Sequence, residues 1–494
     1  MRSIVLLALV GCKYSGDKGS ETGSWSDLAM DDAGSAADWA DSAPPEEEAE
    51  DSADPEKDVC EDASDVPVTW YLSADDSNSK AQPAFVRAII NGMDSQVTGN
   101  LRPYEFLNYY DFDYERPEEG SVSVQPQARL STEDEDSYQV LVGVVAPYLD
   151  PSERKPANFT FSLETSGSMS GEPMERVQDT MRAIASSLIE GDIISIVRWD
   201  SEQRVALDSY EVTGPDDEAL LREIRLLEPG GTTDLSGGLV RAYELASANY
   251  DADRLNRVLL MSDGGANTGV TDEELIGDFA EDQEQEGIYM MGVGTSEAYG
   301  YRELLMDRVT DIGKGAYLFI DSQEEAERQF TGERFIENTQ IAAYNVRLEL
   351  DLPPGYVIEK FHGEQMSTEA SEVREQHLAP NDQMLYNLGL HDCDPDSRDG
   401  TELFTMRATW SDLSEDHVEE VSATLSEMMA GENRELTKAQ AILAYVDALV
   451  GIADGEGDAA VDPALTEIED ALSILGSDED LEEILTLLET YAGR

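Results

Sequence analysis

The sequence predicts an α/β fold with a doubly wound, mostly parallel sheet, inserted in a β-sandwich that its two flanks form, and followed by a helical C-terminal region. Between residues 156 and 335, runs of apolar residues alternate with helical stretches. Strands that are apolar throughout and separated by helices indicate a parallel sheet covered on both faces. Strand-like segments lie on both sides of this region, and neither flank alone can cover both faces of a sheet, so one shared sandwich is expected.

The central α/β region supplies most of the predicted elements. Its predicted strands are residues 159–163, 193–199, 205–210, 258–261, 288–293 and 316–320. Its predicted helices are residues 174–189, 217–227, 239–248, 272–285 and 302–310. In doubly wound folds, ligands bind at the carboxyl ends of the strands, so the residues in the loops that follow the strands decide the function.

The flanks are predicted to be rich in β-structure. Residues 67–155 contain two short helices, at 84–90 and 103–110, and strands at 121–126 and 138–145. Residues 336–412 contain strands at 344–350, 356–359, 385–390 and 403–410. Apolar residues at helical spacing from Val418 to Tyr491 predict a helical region over residues 413–494.

The N-terminus is predicted to be an export signal. A basic start and a short apolar run precede Cys12 within residues 1–11, which is typical of secretory signals. The segment Leu9-Val10-Gly11-Cys12 resembles the bacterial lipobox, which implies a lipid on Cys12 and a place in the outer membrane or at the cell surface. Residues 12–66 are rich in Asp, Glu, Ser and Gly, which predicts a disordered acidic tether, with order beginning near Val66.

Charge narrows the possible partners. The 494 residues include 106 acidic and 33 basic side chains, for a formal net charge of -73. A polyanion would be repelled by such a chain, so nucleic acid is excluded as a partner. We expect contact with a membrane only through the lipid anchor, because no apolar run approaches the length of a membrane span.

Cys60 and Cys393 remain once Cys12 is assigned to lipid. In an exported protein two such thiols can form a disulfide. Cys60 falls in the polar tail and Cys393 in a loop-like run, so two free thiols are an equal alternative.

Oxygen-bearing side chains follow the predicted strands. Glu164, Ser166 and Ser168 come directly after the first strand of the α/β region, Thr233 lies in a polar loop before a helix, and Asp263 follows the strand at 258–261. This donor set contains no His or Cys, and such oxygen-only sets suit Mg²⁺, with Mn²⁺ or Ca²⁺ as alternatives.

These residues resemble the metal-ion-dependent adhesion site of the von Willebrand factor type A domain, whose pattern is Asp-x-Ser-x-Ser, a distant Thr and a distant Asp. The resemblance implies that Ser166 and Ser168 bind the metal through their hydroxyls, that Thr233 is the loop ligand and that Asp263 acts through water. Glu164 stands where the family has Asp, which puts metal binding in doubt. The alternative is that Glu164 only caps the following helix.

The flanks and the helical tail resemble a narrower family of bacterial exported lipoproteins that carry such a domain. This narrower resemblance indicates architecture more than function. From the metal-site pattern and the acidic charge we expect a surface-tethered adhesion or protein-interaction module, in which a carboxylate of a protein partner completes the metal's coordination. The alternative is a structural or assembly factor of the cell envelope with a degenerate metal site. An enzyme is not expected, since no Gly-x-Ser-x-Gly motif or nucleophile paired with a base is found.

Overall fold

The computed structural model describes residues 59–75, 79–93, 95–97, 100–132, 134–264, 287–296, 306, 310 and 315–493, all within one of the two units of the chain, 58–494. The predicted signal segment, Cys12 and the tether as far as residue 58 lie outside these residues. So do the predicted helix at 272–285 and all but two residues of the one at 302–310.

The α/β region forms a six-stranded sheet with the strand order β6-β5-β4-β7-β8-β9. The strands are β4 (Ala157–Glu164), β5 (Ile193–Trp199), β6 (Gln203–Glu211), β7 (Leu255–Ser262), β8 (Tyr289–Gly294) and β9 (Tyr317–Phe319). All pairings are parallel except that of the edge strand β6 with β5. The predicted mostly parallel sheet is confirmed.

Helices cover this sheet on both faces. The helices of the region are α3 (Glu172–Ser187), α4 (Glu218–Arg225), α5 (Leu235–Ala248), α6 (Gln323–Phe330) and α7 (Gly332–Thr339). One core unites α3, α4, α6 and α7 with the sheet, and a second core contains α5. Helices α6 and α7 were not among the predicted elements.

Two further sheets form the sandwich, and both are built from both flanks. The first has the order β12-β1-β10-β15-β16, with β13 also paired to β10, and the second has the order β11-β14-β3-β2. The N-terminal flank supplies β1 (Val68–Ser73), β2 (Ser123–Leu130) and β3 (Ser137–Val145). The C-terminal flank supplies β10 (Ala343–Leu352), β11 (Tyr356–Phe361), β12 (Gln365–Ser367), β13 (Gln376–Leu378), β14 (Gln383–Asp392), β15 (Phe404–Ser411) and β16 (Asp416–Ala423).

Antiparallel pairing joins the two flanks in each sheet. Strand β1 pairs with β10, and β3 pairs with β14 over nine residues, from Val145 opposite Gln383 to Ser137 opposite His391. The inner faces of the two sheets share one apolar core, in which Val142, Leu348 and Tyr386 are fully buried. The shared sandwich is confirmed.

Helices cover the outer face of the sheet β11-β14-β3-β2. The N-terminal flank contributes α1 (Ala81–Ile90) and α2 (Pro103–Tyr109), and the tail contributes α9 (Arg434–Ala453), α10 (Asp458–Leu475) and α11 (Glu479–Tyr491). The short helix α8 (Leu425–Met428) instead packs Met428 into the core between the two sheets. Tyr114 packs onto Gly143 of β3, where an added Cβ would lie 2.6 Å from the tyrosine ring. This close approach requires glycine.

Helix α9 has the length and apolar composition of a membrane span, with a mean hydropathy of 1.4. However, 67% of that apolar window is buried inside the fold. Leu436, Ile442 and Leu449 lie in the same core as α1, α2 and α11. Its apolar character is therefore explained by packing within the fold.

Two sequence expectations are wrong. Residues from Val418 were expected to be helical, but 416–423 form the strand β16, because each residue pairs in register with β15 and every second side chain is half-buried. Order was expected near Val66, but Val59–Asp62 form a 3₁₀ helix, and Ser64 O accepts a hydrogen bond from Gly355 N at 2.9 Å. Cys60 and Cys393 are joined by a disulfide, with their Cα atoms 5.6 Å apart, which attaches this segment to the sandwich.

The guanidinium of Arg87 in α1 connects three parts of the fold. It bonds Asp321 and Glu325 at 2.8 Å and Glu483 of α11 at 3.1 Å. The side chains of Asp321 and Glu325 are 8% and 2% exposed, so these carboxylates have little access to water. Arg87 therefore neutralises buried negative charge where α1, α6 and α11 meet.

We predict that Arg87→Met lowers the free energy of unfolding by about 3 kcal/mol, because it leaves buried carboxylates without their cation. Arg241→Met is the matched control, since Arg241 forms an exposed pair with Glu244, and it should cost less than about 1 kcal/mol. Urea unfolding followed by circular dichroism measures both. Equal losses in the two variants would show that the Arg87 cluster does not support the fold.

Candidate functional site

The site lies where β4, β5 and β7 end. Leu163 of β4 is opposite Arg198 of β5 and Met261 of β7 in the parallel ladders, so the three strands reach the same edge of the sheet. Glu164 ends β4, and the loops after β4 and β7 carry Ser166, Ser168 and Asp263. Thr233 comes from the loop that precedes α5.

Glu164 is the last residue of β4, and its side chain is fully buried. One carboxylate oxygen accepts a hydrogen bond from Ser166 Oγ at 2.6 Å. The other accepts from Ser262 Oγ at 2.5 Å and from the backbone N–H of Asp263 at 3.2 Å. The carboxylate thus joins the loop after β4 to the end of β7.

The serine hydroxyls continue this chain of hydrogen bonds. Ser166 Oγ lies 2.8 Å from Ser168 Oγ. Ser166 has one hydroxyl proton and donates it to Glu164, so Ser168 is the donor to Ser166. Ser166 is buried, whereas Ser168 is exposed, so the chain runs from the interior to the surface.

Backbone hydrogen bonds fix the loop that carries Thr233 against the loop after β4. Gly230 N donates to Thr165 O at 2.7 Å, and Gly167 N donates to Gly231 O at 3.2 Å. Gly231 has φ of +87°, and an added Cβ would lie 2.9 Å from Asp200, so a side chain is excluded there. Thr233 follows two residues later and is 1% exposed.

Asp234 next to Thr233 has a structural role. Its carboxylate accepts from Gly237 N at 3.1 Å, which caps α5, and from Gln203 Nε2 at 2.6 Å. Its capping bond fixes the start of α5 directly after Thr233.

The electrostatics of the site are unfavourable for two anions. Burial and the nearby Asp263 carboxylate together raise the pKa of Glu164 to about 7, although its hydrogen bonds oppose the shift. A like charge nearby and a loss of water both disfavour an ionised carboxyl group. A divalent cation at this position would offset both effects.

The donors fit a small, hard cation. Adjacent ligands of octahedral Mg²⁺ lie about 3 Å apart, given metal–oxygen distances of 2.0–2.1 Å. The two serine hydroxyls are 2.8 Å apart, which matches this spacing. The hydroxyl oxygens retain lone pairs for a metal, and both acids offer carboxylate oxygens.

The structure answers the question of whether Glu164 caps the next helix. Its carboxylate bonds Ser166, Ser262 and the backbone of Asp263, and α3 begins after Gly171, which offers no side-chain cap. Glu164 therefore does not cap α3, and its side chain lies in one hydrogen-bonded cluster with Ser166 and Ser262. Ser262, which contacts this carboxylate directly, was missed by the sequence analysis; its position immediately before Asp263 was the available signal.

The family comparison agrees with this architecture. Residues 159–266 match the model of the von Willebrand factor type A domain. An uncharacterized Escherichia coli protein, YfbK, is 27% identical over 289 residues, which are 56% of this chain and 49% of that protein. An uncharacterized Synechocystis protein, sll0103, is 25% identical over 217 residues, 44% of this chain and 50% of its own. The chain thus spans about half the length of these relatives.

Among solved structures, a von Willebrand factor type A protein from Catenulispora acidiphila is similar, with a TM-score of 0.45 and 13% identity over 75% of this chain and 86% of its own. The family match, the sheet order and the residues at the strand ends lead to one conclusion: the chain contains a von Willebrand factor type A domain.

Proposed function

We propose that this protein is a surface-tethered adhesion or protein-interaction module that depends on a divalent cation. The cation, Mg²⁺ by preference, is held by Glu164, Ser166, Ser168, Thr233 and Asp263. The observation that supports this most directly is the pair of acids, the fully buried Glu164 and the half-buried Asp263, beside two hydroxyls spaced like neighbouring metal ligands. Such domains often mediate metal-dependent contacts between proteins.

The partner in this proposal is a protein that offers a carboxylate. With a net charge of -73, the chain repels acidic ligands at long range. A cation with an open coordination position gives an acidic side chain a local attraction that the rest of the surface does not. Ser168 is exposed, so the partner can reach this position from solvent.

A second function is favoured by one observation. Both carboxylate oxygens of Glu164 are already engaged by three donors of the chain itself: the hydroxyls of Ser166 and Ser262 and the backbone N–H of Asp263. A site that satisfies itself in this way supports a structural or assembly factor of the cell envelope with a degenerate metal site.

We predict that Mg²⁺ raises the melting temperature of the wild-type protein and that Ser168→Ala or Asp263→Ala abolishes this rise. A ligand that binds only the folded state stabilises it by about 2.7 kcal/mol at a concentration of 100 Kd. Differential scanning fluorimetry with Mg²⁺, Mn²⁺ and Ca²⁺ measures the effect. Ser170→Ala is the control, because this exposed serine bonds only the backbone of Gly167 and should respond as wild type does.

We predict that Glu164→Asp retains the response to Mg²⁺ and strengthens it, because the shorter side chain leaves room for a water between carboxylate and metal. Glu164→Gln, which keeps the length but not the charge, should weaken it. Calorimetric titration distinguishes the two readings. If Glu164→Asp binds the cation and the wild type does not, the natural site is degenerate. If no variant binds any of the three cations, the metal site itself is refuted.

The proposed tether rests on Cys12, which lies outside the described residues. We predict that Cys12→Ser moves the protein from the membrane fraction to the soluble fraction, since acyl chains on this residue are its anchor. Fractionation of a bacterial host followed by immunoblotting tests this. Membrane retention of Cys12→Ser equal to that of wild type would exclude a lipid anchor at this position.

A further inference from the structure

A cleft of about 540 Å³ lies between the outer face of the sheet β11-β14-β3-β2 and the helices α9 and α10. Strands β14 and β3 form its floor, and Gly389 of β14 faces Gln139 of β3 there. A volume of this size suits a ligand of a few hundred daltons. Among the described residues, those that line the cleft include none of the proposed metal ligands.

Two buried amide NH₂ groups in the cleft have no hydrogen-bond partner within the described part of the chain. They are Nδ2 of Asn387 on the floor and Nε2 of Gln440 on the α9 wall. Their residues are 1% and 9% exposed. A buried donor without a partner costs free energy, so such groups in native proteins require an explanation. Here two such donors line one cleft, as expected of a site that binds a ligand with acceptor oxygens.

The same cleft also offers acceptors. Nδ1 of His362 lies 2.9 Å from Oδ1 of Asn387. Since that carbonyl oxygen can only accept, Nδ1 carries the proton and Nε2 is left as an acceptor. Burial lowers the pKa of His362 to about 4, so the ring is neutral at physiological pH. On the opposite wall, Pro463 within α10 has no N–H for the carbonyl of Ala459, and both residues line the cleft.

The charged and apolar lining restricts the ligand further. Arg129 is paired with Glu467 at 2.7 Å. The charged lining residues are two basic and four acidic side chains: Arg129, Lys360, Glu359, Asp447, Glu456 and Glu467. This excess of acid disfavours an anionic ligand. Leu443 and Ala444 of α9 supply an apolar surface beside the polar groups.

We propose that this cleft is a binding site for a neutral carbohydrate. Sugar hydroxyls both donate and accept, which matches two amide donors set beside imidazole and carbonyl acceptors, and the C–H faces of a sugar can pack on the apolar wall that Leu443 and Ala444 form. An extended peptide is a poorer fit, because peptides add to unpaired strand edges and both floor strands are paired on each side.

The test uses the full chain and calorimetric titration with the neutral disaccharides cellobiose, maltose, lactose and N,N′-diacetylchitobiose. A disaccharide that contains glucuronic acid serves as the anionic comparison. All titrations are made in EDTA, so that loss of the proposed divalent cation does not affect the result. We expect at least one neutral disaccharide to bind and the anionic one to bind more weakly. Absence of binding by all four neutral probes, or tighter binding of the anionic one, would overturn the proposal.

Variants locate the binding to the cleft. Gln440→Leu keeps the side-chain size and removes one unpartnered donor, so it should weaken binding about tenfold while the melting temperature stays equal or rises. Ala459→Trp on the exposed rim should block the cleft, whereas Asp470→Trp, exposed on α10 but not part of the lining, should not. Binding unchanged in both Gln440→Leu and Ala459→Trp would show that the sugar binds elsewhere and contradict this site.

Discussion

The antiparallel pairing of β3 with β14 is the constraint on which the rest of this architecture depends. These strands are more than two hundred residues apart in the chain, and they pair over nine residues in unbroken register. This pairing and the pairing of β1 with β10 join the N-terminal flank to the C-terminal flank, one in each sheet of the sandwich. The α/β domain is therefore an insertion: the chain leaves the sandwich after β3, forms this domain and returns to the sandwich at β10. The helices α9 and α10 can form a cleft only because β3 and β14 together provide its floor.

A second feature of the fold is that several basic side chains of this strongly acidic chain lie where structural elements meet. Arg87 joins α1 to α6 and α11, and Arg154 bonds the fully buried Asp192 at 2.5 Å. Lys438 lies 2.9 Å from both Asp478 and Asp480, which fixes α9 against the start of α11. Each of these cations stands at a junction between elements. Because they are paired with buried or half-buried acids, water competes less for them than for pairs on the surface.

In the von Willebrand factor type A domain, hydrogen bonds from hydroxyl and backbone N–H groups hold a buried carboxylate. It belongs to Glu164, and the additional methylene of glutamate relative to aspartate lets the carboxylate reach both the loop after β4 and the end of β7. In the proposed metal-bound state, the bonds to Ser166 and Ser262 must rearrange. Without a metal, the same carboxylate has three hydrogen-bond donors as partners.

The sequence by itself determined that this region folds as a mostly parallel sheet covered by helices, since its apolar runs alternate with helical segments. It also determined which residues follow the strand ends, including Glu164, Ser166, Ser168 and Asp263. Local pattern was enough because the ligand-bearing loops are short and begin directly at the strands.

Only the tertiary structure decided the remaining features, because they depend on partners distant in the chain. The charged strand β16 has no apolar alternation and is defined by its pairing with β15. The acidic segment around Cys60 is ordered through Cys393 and Gly355. Asn387 and Gln440 are ordinary polar residues in the sequence, and their common cleft exists only because α9 packs across a sheet that strands from both flanks complete. Contacts between residues distant in the chain produce no helical or strand periodicity in the sequence, so the sequence pattern cannot predict them.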